Sequence, residues 1–312
     1  MRGRAWVGGA LAAAVLVLLA ERLGTRAVLS GLRSLDPGAI IAALALGAVA
    51  ALATATRWRL VARALGAPVP MPAALADVYR AQLVNSVLPA GLVGDAHRAI
   101  AHGLPGSGGR AGFRAVVVER VGGQAVVVLA ALLLIAGSAG AVGIGFALVV
   151  AALAAGALSR GRAGAGRRAR PGARGWCADA RTALLSRACG PGVVLLSLLA
   201  LTCHLGMFVL AARVAGAEAP LGQLLPLLTA GLLAMSIPLN IGGWGPREGV
   251  TAAAFGAAGL DPAAGFAAAV LFGVLGLVSC LPGALALGRS WDGNRTRSRR
   301  RGRHDDHQPA RG

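Results

Sequence analysis

The feature that most constrains this chain is a set of long segments without a charged residue. The six longest have 16 to 39 residues and cover 5–20, 37–56, 121–159, 188–212, 219–246 and 262–288. A membrane crossing takes about 17–25 apolar residues, so five of them are long enough and the longest suffices for two crossings. With 56% hydrophobic and 14% charged residues, the chain is predicted to be a polytopic helical membrane protein. This excludes a soluble enzyme, a disulfide scaffold and a disordered regulator.

The distribution of arginine predicts how the spans are oriented. The net charge is +19, and all 31 basic residues are arginine, of which 16 lie in the stretches 160–187 and 289–311. Arginine accumulates in short cytoplasmic loops, so we expect a cytoplasmic basic loop at 160–187 and cytoplasmic N- and C-termini. The segment Arg295–Arg303 also fits binding to anionic lipid or nucleic acid. Because no aromatic residues interleave it, we favour the topological interpretation and expect no nucleic-acid partner.

The absence of lysine beside abundant alanine, glycine and arginine is typical of a high-GC bacterial genome. We therefore expect the protein to lie in the inner membrane of a bacterium. A single integral membrane domain is predicted over 1–288, followed by a disordered Arg-rich tail over 289–312.

Charge parity predicts an all-α fold with six full spans and two re-entrant helical hairpins of opposite orientation. The spans are expected at about 5–20, 37–56, 114–136, 139–158, 190–212 and 262–288. Segment 71–104 holds two acids and two arginines that an ordinary span excludes, so we expect it to return to the cytoplasmic side. Segment 220–260 must likewise return to the outside. Whether the hairpins meet within one chain or at a dimer interface stays open.

Both re-entrant segments contain the pattern Pro-x4-Gly-x3-Arg, which hints at an inverted repeat. The residues expected to form the hairpins are Asn85, Pro89, Gly94, Pro238, Gly242, Gly243 and Gly245. Proline and glycine at this density leave backbone groups unpaired, which a membrane tolerates only where protein covers them or where they line a wet cavity. Transporters build substrate sites from such broken helices.

Charged residues beside these breaks are the candidate binding site for a lipid headgroup. They are Arg98, Asp95, Arg247, Glu248, Glu119 and Arg120. Arginine offers planar, bidentate donors to phosphate, and the acids would balance it in the empty site. Two alternatives stay open: Arg98 snorkels to the interface, and Glu119 forms an interfacial ion pair with its neighbour. Trp244 is either an interfacial anchor or a lid.

No enzymatic or metal site is predicted. The four cysteines form no CxxC pair, and the adjacent Cys203 and His204 would point about 100° apart on a helix. Asp305 and Asp306 lie in the tail, and no nucleophile lies beside a base in the sequence. A paired-carboxylate mechanism would need Asp95 to converge with another acid, which the sequence does not decide. We expect no cofactor, no metal and no catalytic activity.

The motifs resemble the flippase-like integral membrane family that includes the transmembrane region of lysylphosphatidylglycerol synthases. The resemblance spans about residues 35–288 and continues from Gly259 to Pro282-Gly283. Its motifs are Asn85-x3-Pro89-x4-Gly94-Asp95-x2-Arg98, Glu119-Arg120 and Pro238-x3-Gly242-Gly243-x-Gly245-x-Arg247-Glu248. The chain departs from the family where Val121 to Gln124 replace an acid that commonly follows Glu-Arg, and where Asp95 replaces a frequent glutamate.

The resemblance implies a bacterial inner-membrane protein whose full-length relatives move aminoacylated phospholipid between leaflets. Those relatives carry a large soluble domain that transfers the amino acid from tRNA to the lipid. Because the sequence stops at residue 312, shortly after the last predicted span, we do not expect this chain alone to aminoacylate lipid.

The leading functional hypothesis is binding and leaflet-to-leaflet movement of a phospholipid or lipid-linked headgroup. The alternative, from another class, is a non-catalytic membrane partner of a lipid-modifying enzyme such as a glycosyltransferase. A membrane enzyme acting on a lipid-linked sugar is the third hypothesis. Loss of lipid asymmetry in vesicles that contain the purified chain alone would separate the first from the others.

Overall fold

The computed structural model describes residues 35–87, 94–95, 98–99, 109–138, 180–181, 184, 186, 189–235 and 244–284. Over these residues the fold is all-helical. The helices are α1 (Pro37–Ala64), α2 (Met71–Val87), α3 (Gly109–Ser138), α4 (Gly190–Val214), α5 (Leu221–Ala234), α6 (Pro246–Ala257) and α7 (Pro262–Cys280).

Two long helices begin at the same local signal, an aspartate followed by proline. The Asp36 carboxylate accepts a hydrogen bond from the Ala39 amide at 2.6 Å, and Pro37 takes the first position of α1, where no donor is needed. At the start of α7 the Asp261 carboxylate accepts from the Ala263 amide at 2.9 Å. These caps fix where the two helices begin.

Four segments are long and apolar enough to cross a membrane, which makes this a membrane-embedded protein. They are Pro37–Ala64, Gly112–Leu134, Gly190–Val214 and Pro262–Ala284, and they coincide with four of the six predicted spans. The first of them continues for eight residues beyond its predicted end at Thr56. The predicted spans 5–20 and 139–158 lie outside the described residues, so the total number of crossings stays a prediction.

The re-entrant hairpins also stay a prediction. Helix α2 occupies the first part of segment 71–104, and α5 and α6 pack against each other within segment 220–260. Their predicted tips, 88–93 and 236–243, are not among the described residues. The same holds for the tail and for most of the basic loop.

Helices α1 and α4 pack against each other in opposite directions. Leu46 of α1 lies over Gly206 of α4, whereas Leu60 lies over Gly192. Residue numbers therefore rise along one helix as they fall along the other. A Cβ at position 192 would approach Leu60 Cδ1 to 2.8 Å, so glycine there permits the close contact.

The turns that follow α1 and α4 have the same structure. In each, a glycine with positive φ, Gly66 at 79° or Gly216 at 86°, ends the helix. The amide of the next residue, Ala67 or Ala217, donates to the carbonyl five positions back at 2.8 or 2.9 Å. Glycine adopts this conformation without the strain that a Cβ brings. Each turn then leads into a shorter helix, α2 or α5.

Helix contacts repeat in the same way. Helix α1 packs on α2, α3 and α7, and α4 packs on the corresponding α5, α7 and α3. Contacts of α2 with α7 are mirrored by contacts of α5 with α3. Since α1 and α4 run in opposite directions, the two halves form an inverted repeat around their contact.

Candidate functional site

A cavity of about 600 Å³ lies where the two halves meet. Six charged side chains line it, namely Arg57, Asp95, Arg98, Glu119, Arg120 and Arg247. Five of them are among the six candidate residues predicted from the sequence. The sixth candidate residue, Glu248, binds the Arg247 guanidinium directly. The structure thus brings the predicted residues of both motifs to one cavity.

Glu119 on α3 is the most buried carboxylate of the site, with 1% of its surface exposed. Its Oε1 accepts hydrogen bonds from Arg57 Nε at 2.8 Å and forms an ion pair with Arg57 Nη2 at 2.6 Å. Its Oε2 accepts from Arg98 Nη2 at 3.0 Å. One carboxylate therefore joins two guanidinium groups, which compensates the burial of all three charges.

Asp95 binds a second set of donors. Its carboxylate pairs with Arg98 Nη2 at 3.2 Å and with Arg120 Nη1, and it accepts from Asn85 Nδ2 at 2.8 Å. The Asn85 side-chain oxygen in turn accepts from the Gly94 amide at 2.7 Å. A Cβ on Gly94 would collide with the backbone of Ala81, so glycine allows this segment to lie directly against α2.

Together these groups form an alternating row, Arg57–Glu119–Arg98–Asp95–Arg120. Three arginines against two carboxylates leave one positive charge. Arg98 is 4% exposed and stacks on the Trp58 ring at 4.7 Å. Within the described part of the chain, its buried Nε has no hydrogen-bond acceptor. The row can therefore accept one further anionic group.

Arg247 of α6 forms a second cluster with the carboxylate of Glu248, the next residue. Arg247 Nε and Nη2 donate to Glu248 Oε1 at 3.0 and 2.5 Å. Glu248 Oε2 accepts from the amide of Gly245, whose φ is 99°, at 2.5 Å. The glutamate thus compensates the arginine and caps the start of α6.

Aromatic rings cover the Arg247 guanidinium. Its Cζ lies 4.6 Å from the centre of the Trp244 ring and 5.3 Å from that of Phe272. Gly273 provides the space, because a Cβ there would collide with Trp244 and with Arg247 Nη2. In the described residues the only acceptor for Nη1 is the sulfur of Met235 at 4.0 Å, which is a weak one.

Arg98 and Glu119 are both buried within the protein and bonded to each other. Whether they lie at the depth of the membrane interface stays a prediction. Trp244 is 8% exposed and stacks on Arg247 in the cavity wall. Among the hairpin residues, Asn85, Gly94 and Gly245 are described; Pro89, Pro238, Gly242 and Gly243 are not.

The sequence analysis missed Arg57 as a site residue, because the predicted span 37–56 ends just before it. In the structure α1 continues past it, and Arg57 Nη1 donates to the buried Ser197 of α4 at 2.8 Å. A usable signal was Glu119 itself. A carboxylate inside an apolar helix needs a cationic partner, so an arginine at the edge of another apolar run was a candidate for it.

No metal ligand set is found among the residues that the structure describes, where no three His, Cys, Asp or Glu side chains converge. His204 lines the cavity, and its Nδ1 lies 2.6 Å from the Ala200 carbonyl oxygen. The charged side chains that line the cavity can bind a ligand through hydrogen bonds and ion pairs.

Comparison with known families matches residues 5–283 of the chain to the transmembrane region of lysylphosphatidylglycerol synthase. A search of curated proteins found no match.

Proposed function

The chain belongs to the family of the lysylphosphatidylglycerol synthase transmembrane region, and on that premise we propose that it binds an anionic phospholipid or lipid-linked headgroup in its cavity. It then moves the headgroup between the leaflets of a bacterial inner membrane and performs no chemical step. The observation that carries this proposal is one cavity among apolar helices lined by four arginines and two carboxylates.

Charge and hydrogen bonding favour a phosphate-containing headgroup. Arginine binds phosphate through paired N–H donors, and such bonds are about twice as strong as those between neutral groups. With Glu248 included, four arginines face three carboxylates, which leaves one positive charge for the monoanion of a phosphodiester. The Arg120 side chain is 43% exposed, so this excess charge is accessible to an anion.

Size and surroundings support the same conclusion. A cavity of about 600 Å³ falls within the range of pockets that enclose small molecules. Acyl chains would stay in the bilayer beside the apolar helices, while the charged side chains of the cavity would provide a path for the headgroup through the hydrocarbon core. Asp95 and Glu248 occupy guanidinium donors that a phosphate would bind.

The test is lipid movement in vesicles that contain the purified protein and fluorescent phosphatidylglycerol. We expect the protein to accelerate exchange between leaflets and Arg247→Ala to abolish the acceleration. The matched control is Arg63→Ala, because Arg63 is exposed at the end of α1 and does not line the cavity. Absence of acceleration with any anionic lipid would overturn the proposal. Co-purification with a lipid-modifying enzyme would then be the next measurement.

A further inference from the structure

The three acids of the two clusters are all bound to arginines, which leaves none of them to a cationic ligand. Asp95, Glu119 and Glu248 each form an ion pair with an arginine that lines the cavity. The only other acid in the two predicted re-entrant segments is Asp77. Its carboxylate is paired with Arg80, one helical turn away on α2.

Charge balance favours a headgroup whose only charge is that of its phosphate. In the described part of the chain, four arginines against three carboxylates give the cavity one excess positive charge. A phosphodiester monoanion brings this sum to zero. Phosphatidylethanolamine has no net charge and an aminoacylated lipid carries an added ammonium group, so either leaves the cavity positive. Displacement of an acid by the phosphate does not change the sum, because the acid stays in the cavity.

The hydroxyl groups of the cavity wall retain acceptors rather than donors. Thr54 Oγ1 donates to the Ala50 carbonyl oxygen of its own helix at 2.9 Å, and Ser279 Oγ donates to that of Gly276 at 2.7 Å. Both side chains line the cavity. A hydroxyl group has one hydrogen and two lone pairs, so each of them can still accept a hydrogen bond.

Two further side chains of the wall use their hydrogens in the same way. Ser86 Oγ donates to the Leu83 carbonyl oxygen at 2.7 Å. His204 Nδ1 lies 2.6 Å from the Ala200 carbonyl oxygen, which can only accept, so Nδ1 carries the hydrogen and the neutral ring keeps Nε2 as an acceptor. The four side chains lie on α2, α1, α4 and α7. Uncharged acceptors on four helices suit a ligand that brings several O–H donors.

We propose that the cavity selects a phosphodiester headgroup that carries hydroxyl groups and no amine, as a polyol or a sugar does. The arginines bind the phosphate, while Thr54, Ser86, His204 and Ser279 accept hydrogen bonds from the hydroxyl groups. An ammonium group is also a donor, but the excess positive charge excludes it. This inference rests on the proposed function, and it adds the class of headgroup that is moved.

The test compares lipids that differ in one group, in vesicles that contain the parent protein. The fluorescent lipids are phosphatidylglycerol, phosphatidylmethanol, phosphatidylethanolamine and N-acetyl-phosphatidylethanolamine, and exchange in protein-free vesicles is subtracted. Phosphatidylmethanol keeps the charge but lacks hydroxyl groups, so it should exchange about 2-fold to 10-fold more slowly than phosphatidylglycerol, the loss of one hydrogen bond between neutral groups. Acetylation removes the cation of phosphatidylethanolamine and should accelerate its exchange at least about 10-fold, because like charges in contact repel strongly. Equal rates within either pair would overturn the proposal.

A variant of one acceptor locates the contact with the hydroxyl groups. Thr54→Val keeps the shape of the side chain and should lower the ratio of the phosphatidylglycerol rate to the phosphatidylmethanol rate by about 2-fold to 10-fold. This ratio does not depend on how much of the protein is folded. The matched control is Thr56→Val, because Thr56 Oγ1 donates to the Leu52 carbonyl oxygen of the same helix at 2.8 Å but does not line the cavity. An unchanged ratio in Thr54→Val, or an equal change in Thr56→Val, would overturn the contact.

The outcomes separate this inference from the proposed function. Acceleration of all four lipids to one rate leaves transport standing and overturns the selection, whereas acceleration of none overturns the proposed function itself. Unlabelled polyprenyl-phosphoglucose, added as a competitor, distinguishes the two sources of such a headgroup. Stronger competition than by unlabelled phosphatidylglycerol would assign the cavity to lipid-linked sugars, and weaker competition would assign it to phospholipids.

Discussion

The two halves of the molecule share a helical framework but compensate their buried arginines differently. In the first half, Arg98 binds Glu119 of α3, which also binds Arg57 of α1. In the second half, Arg247 binds the adjacent Glu248 and two aromatic rings. The backbone arrangement is therefore repeated, whereas the charges are balanced across helices in one half and within one helix in the other.

This difference predicts which half of the cavity is more rigid. The first cluster ties α1, α3, α4 and the Asp95 segment together, so moving any one of them breaks a buried ion pair or hydrogen bond. The second cluster keeps its ion pair when α6 moves, because donor and acceptor lie on the same helix. The first half is expected to be the more rigid side of the cavity.

The largest loss of stability should come from replacing the two buried glutamates, Glu119 and Glu248. Glu119→Gln leaves Arg57 and Arg98 without their shared carboxylate and should lower the free energy of unfolding by about 3–5 kcal/mol. Glu248→Gln should cost less, about 1.5–3 kcal/mol, because its amide oxygen can still cap α6 and the aromatic contacts remain. Denaturation in mixed detergent micelles measures both.

Asp77→Asn is the control for these glutamate variants. Asp77 forms a partly exposed ion pair with Arg80 at 2.8 Å, one helical turn away. Its loss should cost about 0–1 kcal/mol. Equal losses for Glu119→Gln and Glu248→Gln would contradict the difference between the halves.

Gly123 and Gly273 each lie against an arginine of the cavity, and replacing them should give an intermediate loss of stability that also differs between the halves. Gly273→Ala must displace the rigid Trp244 ring together with Arg247 and should cost about 2–3 kcal/mol. Gly123→Ala meets the end of the long Arg57 side chain, which is bonded to Glu119 and Ser197, so about 1–2 kcal/mol is expected. Thermal unfolding in detergent measures both, with Gly137→Ala, where no atom lies near the added methyl group, as the control. A larger loss for Gly123→Ala would argue against the rigid aromatic wall.

The smallest loss of stability should come from replacing the two turn glycines, and it should be the same in both halves. Gly66→Ala and Gly216→Ala place a Cβ in a left-handed conformation but meet no neighbouring atom. Each should cost about 1 kcal/mol, measured by the same denaturation experiment. Losses that differ by more than the error of the measurement would show that the turns are not equivalent.

The sequence predicts the parts of this fold that depend on local properties. Uncharged runs locate four of the helices because burial in hydrocarbon excludes charges, and Asp-Pro pairs mark helix starts. The shared Pro-x4-Gly-x3-Arg motif hints at the repeat that the helix contacts show. These inferences need no knowledge of which helices touch.

Sequence reasoning fails where a charge is compensated from far along the chain. Arg57 interrupts an apolar run, so it is interpreted as the end of a span, although its carboxylate partner lies 62 residues away and its hydroxyl partner 140 residues away. The sequence does not predict the common cavity for the same reason, because the cavity depends on the antiparallel contact of α1 with α4, which are far apart along the chain.

The separation of these partners also sets an order for biogenesis. At synthesis rates of about 5–20 residues per second, Glu119 leaves the ribosome roughly 3–12 seconds after Arg57, and Ser197 roughly 7–28 seconds after it. Helix α1 is thus made well before any group that neutralises its arginine. Arg57 therefore reaches its carboxylate partner only after α3 is made, and the second half is synthesised after both carboxylates of the first half.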